Sequence, residues 1–281
     1  MAFLNGRRQR FDINAEEASP LAAAFSSAER GTLAMVRQAL AEKRMRLAFQ
    51  PAVYAADPGI IGFYEGYIRL LNREGLVIPA RDFMELAERQ ELGREIDVAA
   101  LRLGLLTLQR NPGIRIAVNM SARSVGYKPW TQLLRAALRQ LPDLGKGLIL
   151  EINEDSAMQM PDVLIPFMAE FRPAGIAFTL DDFGAGATSL ELLNEYGFDI
   201  AKIDSKFIRD CHRSARNQPI VQAAISMAQA FDMFLVAEAV ETNDEAVWLR
   251  DQGVGCLQGY LFGKPEVEPD FRRFRRARAP A

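Results

Sequence analysis

Eight short runs of apolar and β-branched residues, separated over most of the chain by stretches of helical period, constrain this sequence more than any other feature. The runs cover residues 47–53, 62–70, 114–120, 148–152, 176–180, 200–203, 234–240 and 256–262. Between them, residues 82–109, 131–140, 162–171, 218–231 and 244–252 read as helices. Alternation of this kind builds a parallel sheet covered by its crossovers. Eight such units within residues 46–270 match the size of a closed barrel. The fold expected is therefore α/β, a single (β/α)8 TIM-like barrel over 46–270. A leader with a helix at 32–45 fills residues 1–45, and a basic tail fills 271–281.

Each candidate strand also carries a polar side chain at or near its end: Gln50, Glu65, Asn119, Glu151, Asp181, Lys202, Glu238 and Gln258. Any one of these alone reads equally well as a cap for a loop or helix. Burying an unpaired carboxylate costs several kcal/mol, so the whole set is poorly explained as packing. In a barrel the strand C-termini form the catalytic face, and these side chains would converge on one mouth.

Composition removes several chemistries. The chain has one histidine, His212, in a polar stretch without a second imidazole or cysteine cluster, which argues against histidine-zinc sites and Ser-His or Cys-His catalysis. Cys211 and Cys256 show no pairing pattern and read as reduced thiols. No apolar run reaches the roughly 18 residues of a membrane span, and the arginine-bearing start lacks a secretory apolar stretch, so a cytoplasmic protein without membrane attachment is expected. A net charge of −2 predicts no general attraction to nucleic acid. The run Arg272, Arg273, Arg275, Arg276 and Arg278 reads as a solvated helix end.

Glu65, Glu151, Asp181, Asp182, Glu238 and Glu241 would bring up to six negative charges to one rim, with Lys202 as the evident cation. Their mutual repulsion calls for cations between them, and hard divalent ions such as Mg²⁺ or Mn²⁺ prefer carboxylate and amide oxygens. Asn119 suits a neutral oxygen ligand. A tight turn at Phe183-Gly184 would let the adjacent pair Asp181-Asp182 face the same ions. Two metals roughly 4 Å apart clamp the attacking and leaving oxygens of a phosphodiester, so phosphodiester hydrolysis is the chemistry this set suits. Lys202 would orient the attacking water or neutralise phosphate, a buried ion pair being its structural alternative. Arg69, four residues past Glu65, shares its strand face and suits a phosphate contact, or a surface salt bridge. Gly184-Ala-Gly186 lacks the third glycine of a dinucleotide fingerprint, and Asp182-Phe183-Gly184 lacks the other kinase motifs.

These residues, in this order and spacing, closely resemble the EAL family of cyclic di-GMP phosphodiesterases. The matching stretches are Phe49-Gln50-Pro51, Glu65 with Arg69, Val118-Asn119-Met120-Ser121, Glu151-Ile152-Asn153-Glu154, Asp181-Asp182-Phe183-Gly184, Lys202-Ile203-Asp204, Ala237-Glu238-Ala239-Val240-Glu241 and Gln258-Gly259-Tyr260. The resemblance implies an early strand antiparallel to the others. It implies two metal ions, held by Glu65, Asn119, Glu151 and Asp181, with Asp182 and Glu238 serving the second. It further implies that Lys202 orients the water, that Arg69 touches phosphate, that Gln50, Asp204 and Gln258 serve the ligand side, and that Glu154 and Glu241 support the loops. A homodimer beside the loop after Asp182 is implied as well.

The departures lie around these ligands. The signature Glu-Ala-Leu is Glu65-Gly66-Tyr67 here, Ala185 and Ala187 replace a threonine and an aromatic residue in the loop, and Ala239 replaces a glycine. Lost support of this kind costs about 10- to 100-fold in metal affinity or activity. Three functions follow: hydrolysis of cyclic di-GMP to linear pGpG, a receptor that binds the same ligand without useful turnover and signals through a protein partner, and a ligand-free scaffold.

Overall fold

The computed structural model describes residues 20–88 and 90–273. The first part of the expected leader, and Arg275, Arg276 and Arg278 of the expected tail, lie outside the described residues. In chain order the elements are α1 (Pro20–Ala41), β1 (Met45–Tyr54), β2 (Ile61–Leu71), β3 (Val77–Pro79), α2 (Met84–Ala87), α3 (Glu91–Arg110), β4 (Ile116–Asn119), α4 (Lys128–Gln140), α5 (Leu144–Gly147), β5 (Leu148–Asn153), α6 (Glu154–Gln159), α7 (Pro161–Phe171), β6 (Ala177–Phe183), α8 (Leu190–Tyr196), β7 (Ile200–Ile203), α9 (Ser205–Ile208), α10 (Asn217–Ala230), β8 (Phe234–Ala237), α11 (Asn243–Asp251) and β9 (Cys256–Gln258).

Eight strands close on themselves in the order β1, β2, β4, β5, β6, β7, β8, β9 and back to β1. From β2 to β9 neighbouring strands run parallel. β1 is antiparallel to both its neighbours. β3 hangs outside the ring on the far end of β2, pairing Leu71 with Val77. With three residues and an exposed Val77 it carries too little alternation to be read in sequence.

The helix expected at 32–45 instead spans Pro20–Ala41, and Met45 opens β1. Proline suits a first helical position because its missing N–H needs no intrahelical partner there. The helix ends where Lys43 turns left-handed, at φ 55°. Leu33, Val36 and Ala39 form its buried face. The helix expected over 82–109 is two, α2 and α3. The break is a close approach: a Cβ on Gly93 would lie 2.8 Å from Glu88 Cα, so the chain folds back on itself where only glycine fits.

Two apolar clusters fill the molecule. The larger lies between the helices and the outer faces of the strands, and includes Trp130, Phe167 and Phe178 packed ring against ring. Phe271, the first residue of the expected tail, packs edge-on against Phe49 and Tyr64 at 5.2 and 5.1 Å. The smaller cluster takes one residue from each of seven strands: Ala52, Phe63, Ala117, Ile149, Ile200, Val236 and Cys256. Side chains drawn from all round a closed sheet meet only in its interior, so this is the floor of the barrel.

Ala239 adopts φ 51°, a conformation that crowds a Cβ and that glycine accepts freely. Replacing Ala239 by glycine should therefore stabilise the protein, by about 1 kcal/mol after the entropy lost by glycine on folding. Denaturant unfolding of wild type and Ala239→Gly checks this as a rise in the transition midpoint at unchanged slope.

Candidate active site

Strand periodicity builds the site directly on the barrel floor. Successive side chains alternate faces, so the residue two positions beyond an interior residue also points inward, one layer higher. Beyond Phe63 comes Glu65, beyond Ala117 Asn119, beyond Ile149 Glu151, beyond Ile200 Lys202, beyond Val236 Glu238, and beyond Cys256 Gln258. β6 follows the same rule from Ala177 through buried Thr179 to Asp181. β1 runs the other way, so its member of the layer lies two residues before Ala52: this is Gln50, whose register partner is Glu65. Gln50 is therefore a mid-strand residue brought in by reversed direction, not a C-terminal strand residue as expected.

Lys202 sits at the centre of the layer with no exposed surface. Its Nζ lies 2.7 Å from Glu65 Oε2, 2.5 Å from Glu238 Oε1, 3.3 Å from Glu151 and 3.5 Å from Asp181 Oδ1. Glu65 is surrounded by donors: Oε2 also accepts from Tyr67 Oη at 2.8 Å and Gln258 Nε2 at 2.9 Å, and Oε1 accepts from Asn119 Nδ2 at 2.9 Å. Burial works against its charge, but Lys202 and these hydrogen bonds hold the Glu65 carboxyl below the usual range. Burial likewise disfavours the Lys202 ammonium, and the four carboxylates reverse that and raise its pKa well above the ordinary value.

Asp181 and Asp182 are both turned to the mouth, by a different device from the expected turn. β6 continues through Phe183, and its register against β7 slips between Leu180 and Phe183, a one-residue bulge. Asp182 takes the left-handed conformation at φ 57° within it. Asparagine and aspartate tolerate this conformation better than other non-glycine residues. Asn153 Nδ2 holds Asp182 Oδ2 at 2.6 Å, while Asn153 Oδ1 caps the start of α6.

The remaining expected residues sit around this centre. Buried Glu154 accepts hydrogen bonds from Gly186 N at 2.9 Å and from Thr188 Oγ1, anchoring the loop after β6. Gln258 is buried against Glu65, and Gln50 donates to the Gly263 carbonyl at 2.9 Å. Arg69 is half-buried with its guanidinium over the Tyr67 ring, 5.4 Å from the centroid. Asp204 caps α9 through Lys206 N at 2.8 Å. Glu241 is exposed, 3.8 Å from Arg209, and stands apart from the buried cluster.

Two supporting residues, Glu245 and Asp97, escaped the sequence reading, and Tyr67 stood there only as a departure from the signature. Glu245 accepts from the backbone N–H groups of Asp210, Glu241 and Thr242, bracing the segment after Glu238. The capping-box spacing Thr242-x-x-Glu245 was a legible signal for it. Asp97 accepts from Ser121 N and Ser124 Oγ, fixing the loop after Asn119. Tyr67 lies between Glu65 and Arg69.

The donor set fits hard divalent cations. Asp181, Asp182 and Glu238 each bring an oxygen within 4.8 Å of the others. Among the described residues, the buried oxygens Glu151 Oε1 and Asp181 Oδ1 accept no well-formed hydrogen bond and face Lys202 Nζ only at longer range, 3.3 and 3.5 Å. Such oxygens suit an ion that takes oxygen ligands. A cavity of about 320 Å³ opens here, lined by Glu65, Tyr67, Asp97, Asn119, Asp181 and Glu238. A larger groove of about 500 Å³ lies at the opposite end of the barrel, ahead of β4 and β5, where its lining residues Asp143 and Lys146 simply pair with each other.

The family model described as EAL domain matches residues 33–265. This chain belongs to the EAL domain family. It is 35% identical over 248 residues to the cyclic di-GMP phosphodiesterase NbdA of Pseudomonas aeruginosa, covering 86% of this chain and 31% of that protein. It is 29% identical over 243 residues to the cyclic di-GMP phosphodiesterase PdeR of Escherichia coli, covering 85% and 36%. The chain thus spans about a third of the length of these curated EAL relatives. Among solved structures, the PaMucR phosphodiesterase in complex with c-di-GMP superposes with a TM-score of 0.74 at 29% identity, covering 84% of this chain and 97% of that one. No helix among the described residues is long and apolar enough to cross a membrane.

The charge balance of the EAL site gives a pH signature. Burial, reinforced by Asp181 and Glu65, pushes Glu238 up to about 8. Burial also raises Glu151 well above, and Asp181 and Asp182 above, their ordinary values. A folded-state pKa above the unfolded one stabilises at low pH, and that contribution is lost as pH rises through the folded value. In chelator, the thermal midpoint should fall from about pH 5 upward through about pH 8 and level off only above that value. Glu238→Gln should flatten this decline, measured by calorimetry across a pH series.

Proposed function

We propose that this chain is a metal-dependent phosphodiesterase that hydrolyses cyclic di-GMP to linear pGpG. The observation that carries the reading is the layer in which buried Glu65 and Glu151 and part-buried Asp181 and Glu238 surround Lys202, with Asn119 and Asp182 at its edge. Similarity to proteins named cyclic di-GMP phosphodiesterases supports the ligand.

Two divalent ions, Mg²⁺ or Mn²⁺, would be held by Glu65, Asn119, Glu151 and Asp181, with Asp182 and Glu238 serving the second. They supply charge neutralisation on the phosphate and a lowered pKa for water. The surrounding carboxylates raise the Lys202 pKa well above its ordinary value, so Lys202 would act as a hydrogen-bond donor that orients the attacking water and offsets phosphate charge. Glu238, whose carboxyl burial pushes up to about 8, would serve the ions as an anionic oxygen ligand. Arg69 meets the phosphate from the β2 side. Gln50 and Gln258 act by holding backbone and Glu65, and Asp204 by fixing α9 beside Asp182. Glu154 and Glu241 serve the loops. The reading includes a homodimer beside the loop after Asp182, where Leu190 is 57% exposed; light scattering at tens of micromolar should give twice the chain mass.

A non-catalytic receptor differs only in the last step, since retaining a dianionic ligand tolerates geometry that in-line attack does not. A misplacement near 1 Å costs on the order of 10²-fold in rate. Single-turnover chromatography with excess protein and Mn²⁺ separates the two. Wild type should convert cyclic di-GMP to the linear dinucleotide, with Lys202→Ala and Glu65→Gln inactive and Glu151→Ala binding Mn²⁺ weakly by calorimetry. Ligand that binds tightly yet stays intact for hours makes the chain a receptor.

A further inference from the structure

Tyr67 stands where two parts of the site meet. Alternation along β2 puts Glu65, Tyr67 and Arg69 on one face. The Tyr67 hydroxyl donates to Glu65 Oε2 at 2.8 Å, and its ring lies under the Arg69 guanidinium, 5.4 Å from Cζ to the centroid. Gln258 Nε2 lies 3.4 Å from the hydroxyl oxygen and completes the cluster.

The donors around Glu65 are unevenly shared. Oε2 accepts from Lys202 at 2.7 Å, Tyr67 at 2.8 Å and Gln258 at 2.9 Å, whereas Oε1 has one neutral neighbour, the Asn119 amide at 2.9 Å. An ionised carboxylate offers about four lone-pair sites, so three donors saturate one oxygen and leave the other for a cation. Rotating the group would break all three bonds together. A carboxylate oxygen only accepts, so the phenolic hydroxyl is the donor of this bond. The leucine of the family signature supplies neither a donor nor a π face at this position.

Resting on the phosphodiesterase reading above, we infer that Tyr67 is a positioning residue: its hydroxyl sets which Glu65 oxygen faces the metal cluster, and its ring holds the Arg69 guanidinium toward the phosphate. The two arms separate by mutation. Tyr67→Phe keeps the ring and loses the donor, and Tyr67→Leu loses both.

Mn²⁺ calorimetry and steady-state kinetics on wild type and both variants test the inference, with thermal unfolding in chelator as the check on folding. Tyr67→Phe should bind Mn²⁺ about tenfold more weakly, with kcat lowered at limiting Mn²⁺ and KM for cyclic di-GMP unchanged. Tyr67→Leu should show the same metal loss and a KM raised about threefold. A Tyr67→Phe protein equal to wild type in Mn²⁺ affinity and kcat would mean that the ring only packs, and overturns the inference while leaving the phosphodiesterase reading intact. A wild type that binds no Mn²⁺ overturns both.

Discussion

One buried ammonium organises the mouth of this barrel. Lys202, on β7, lies within ion-pair distance of carboxylates from β2, β5 and β6 and of Glu238 just past β8. Taking so many charges out of water is costly, and apolar residues of similar volume would often give a more stable interior. The arrangement is therefore poorly explained as a stability device. A single positive charge cannot balance four carboxylates, and the deficit shows in the direction of the shifts: Glu65, which has the most donors, ionises readily, while Glu151, Asp181 and Glu238 are driven upward first by burial. The cluster is left short of positive charge, a shortage that protons fill at low pH and that divalent ions would fill on the phosphodiesterase reading. On that reading metal affinity, pH dependence and folding stability are coupled through the same few oxygens.

Much of this was legible because a closed sheet leaves polar residues few places to hide. Glu65, Asn119, Glu151, Lys202, Glu238 and Gln258 each interrupt an apolar run, and each lies one strand period above a floor residue. The antiparallel course of β1 came from family likeness, although arithmetic could have supplied it. β1 ends at Tyr54 and β2 begins at Ile61, and residues 55–60 are too few for a parallel crossover, which takes about a dozen residues or more. A hairpin was the remaining choice, and it explains why Gln50 precedes its floor residue rather than following it.

What the sequence concealed depends on register and on distances across the ring. The bulge at Asp181-Asp182 is one extra residue against β7, and an insertion in register leaves no mark in composition. The break between α2 and α3 follows from the backbone approach at Gly93, and the polar run over residues 88–91 beside it reads equally well as the solvated face of one helix. Tyr67 reads as an ordinary strand aromatic until its hydroxyl is found on Glu65. Asp97 and Glu245 lie within helices, where a charged residue is unremarkable until the loops they hold are known.

The departures from the EAL signature take on a different weight once the anchors are located. Ala185 and Ala187 remove side chains from the exposed part of the loop after β6. The grip on that loop lies elsewhere: Glu154 holds Gly186 through its backbone N–H and Thr188 through its hydroxyl, and neither bond uses the replaced side chains. Asn153 separately fixes Asp182 within the bulge. The loop is held from the α6 side by groups that these substitutions leave in place, so its exposed tip is free to change without moving the carboxylates beneath it. Tyr67 and Ala239 are the departures that touch those carboxylates directly, one by hydrogen bond to Glu65 and the other by a strained backbone next to Glu238. The departures that bear on the carboxylate layer therefore lie along β2 and at the end of β8, more than in the loop after β6.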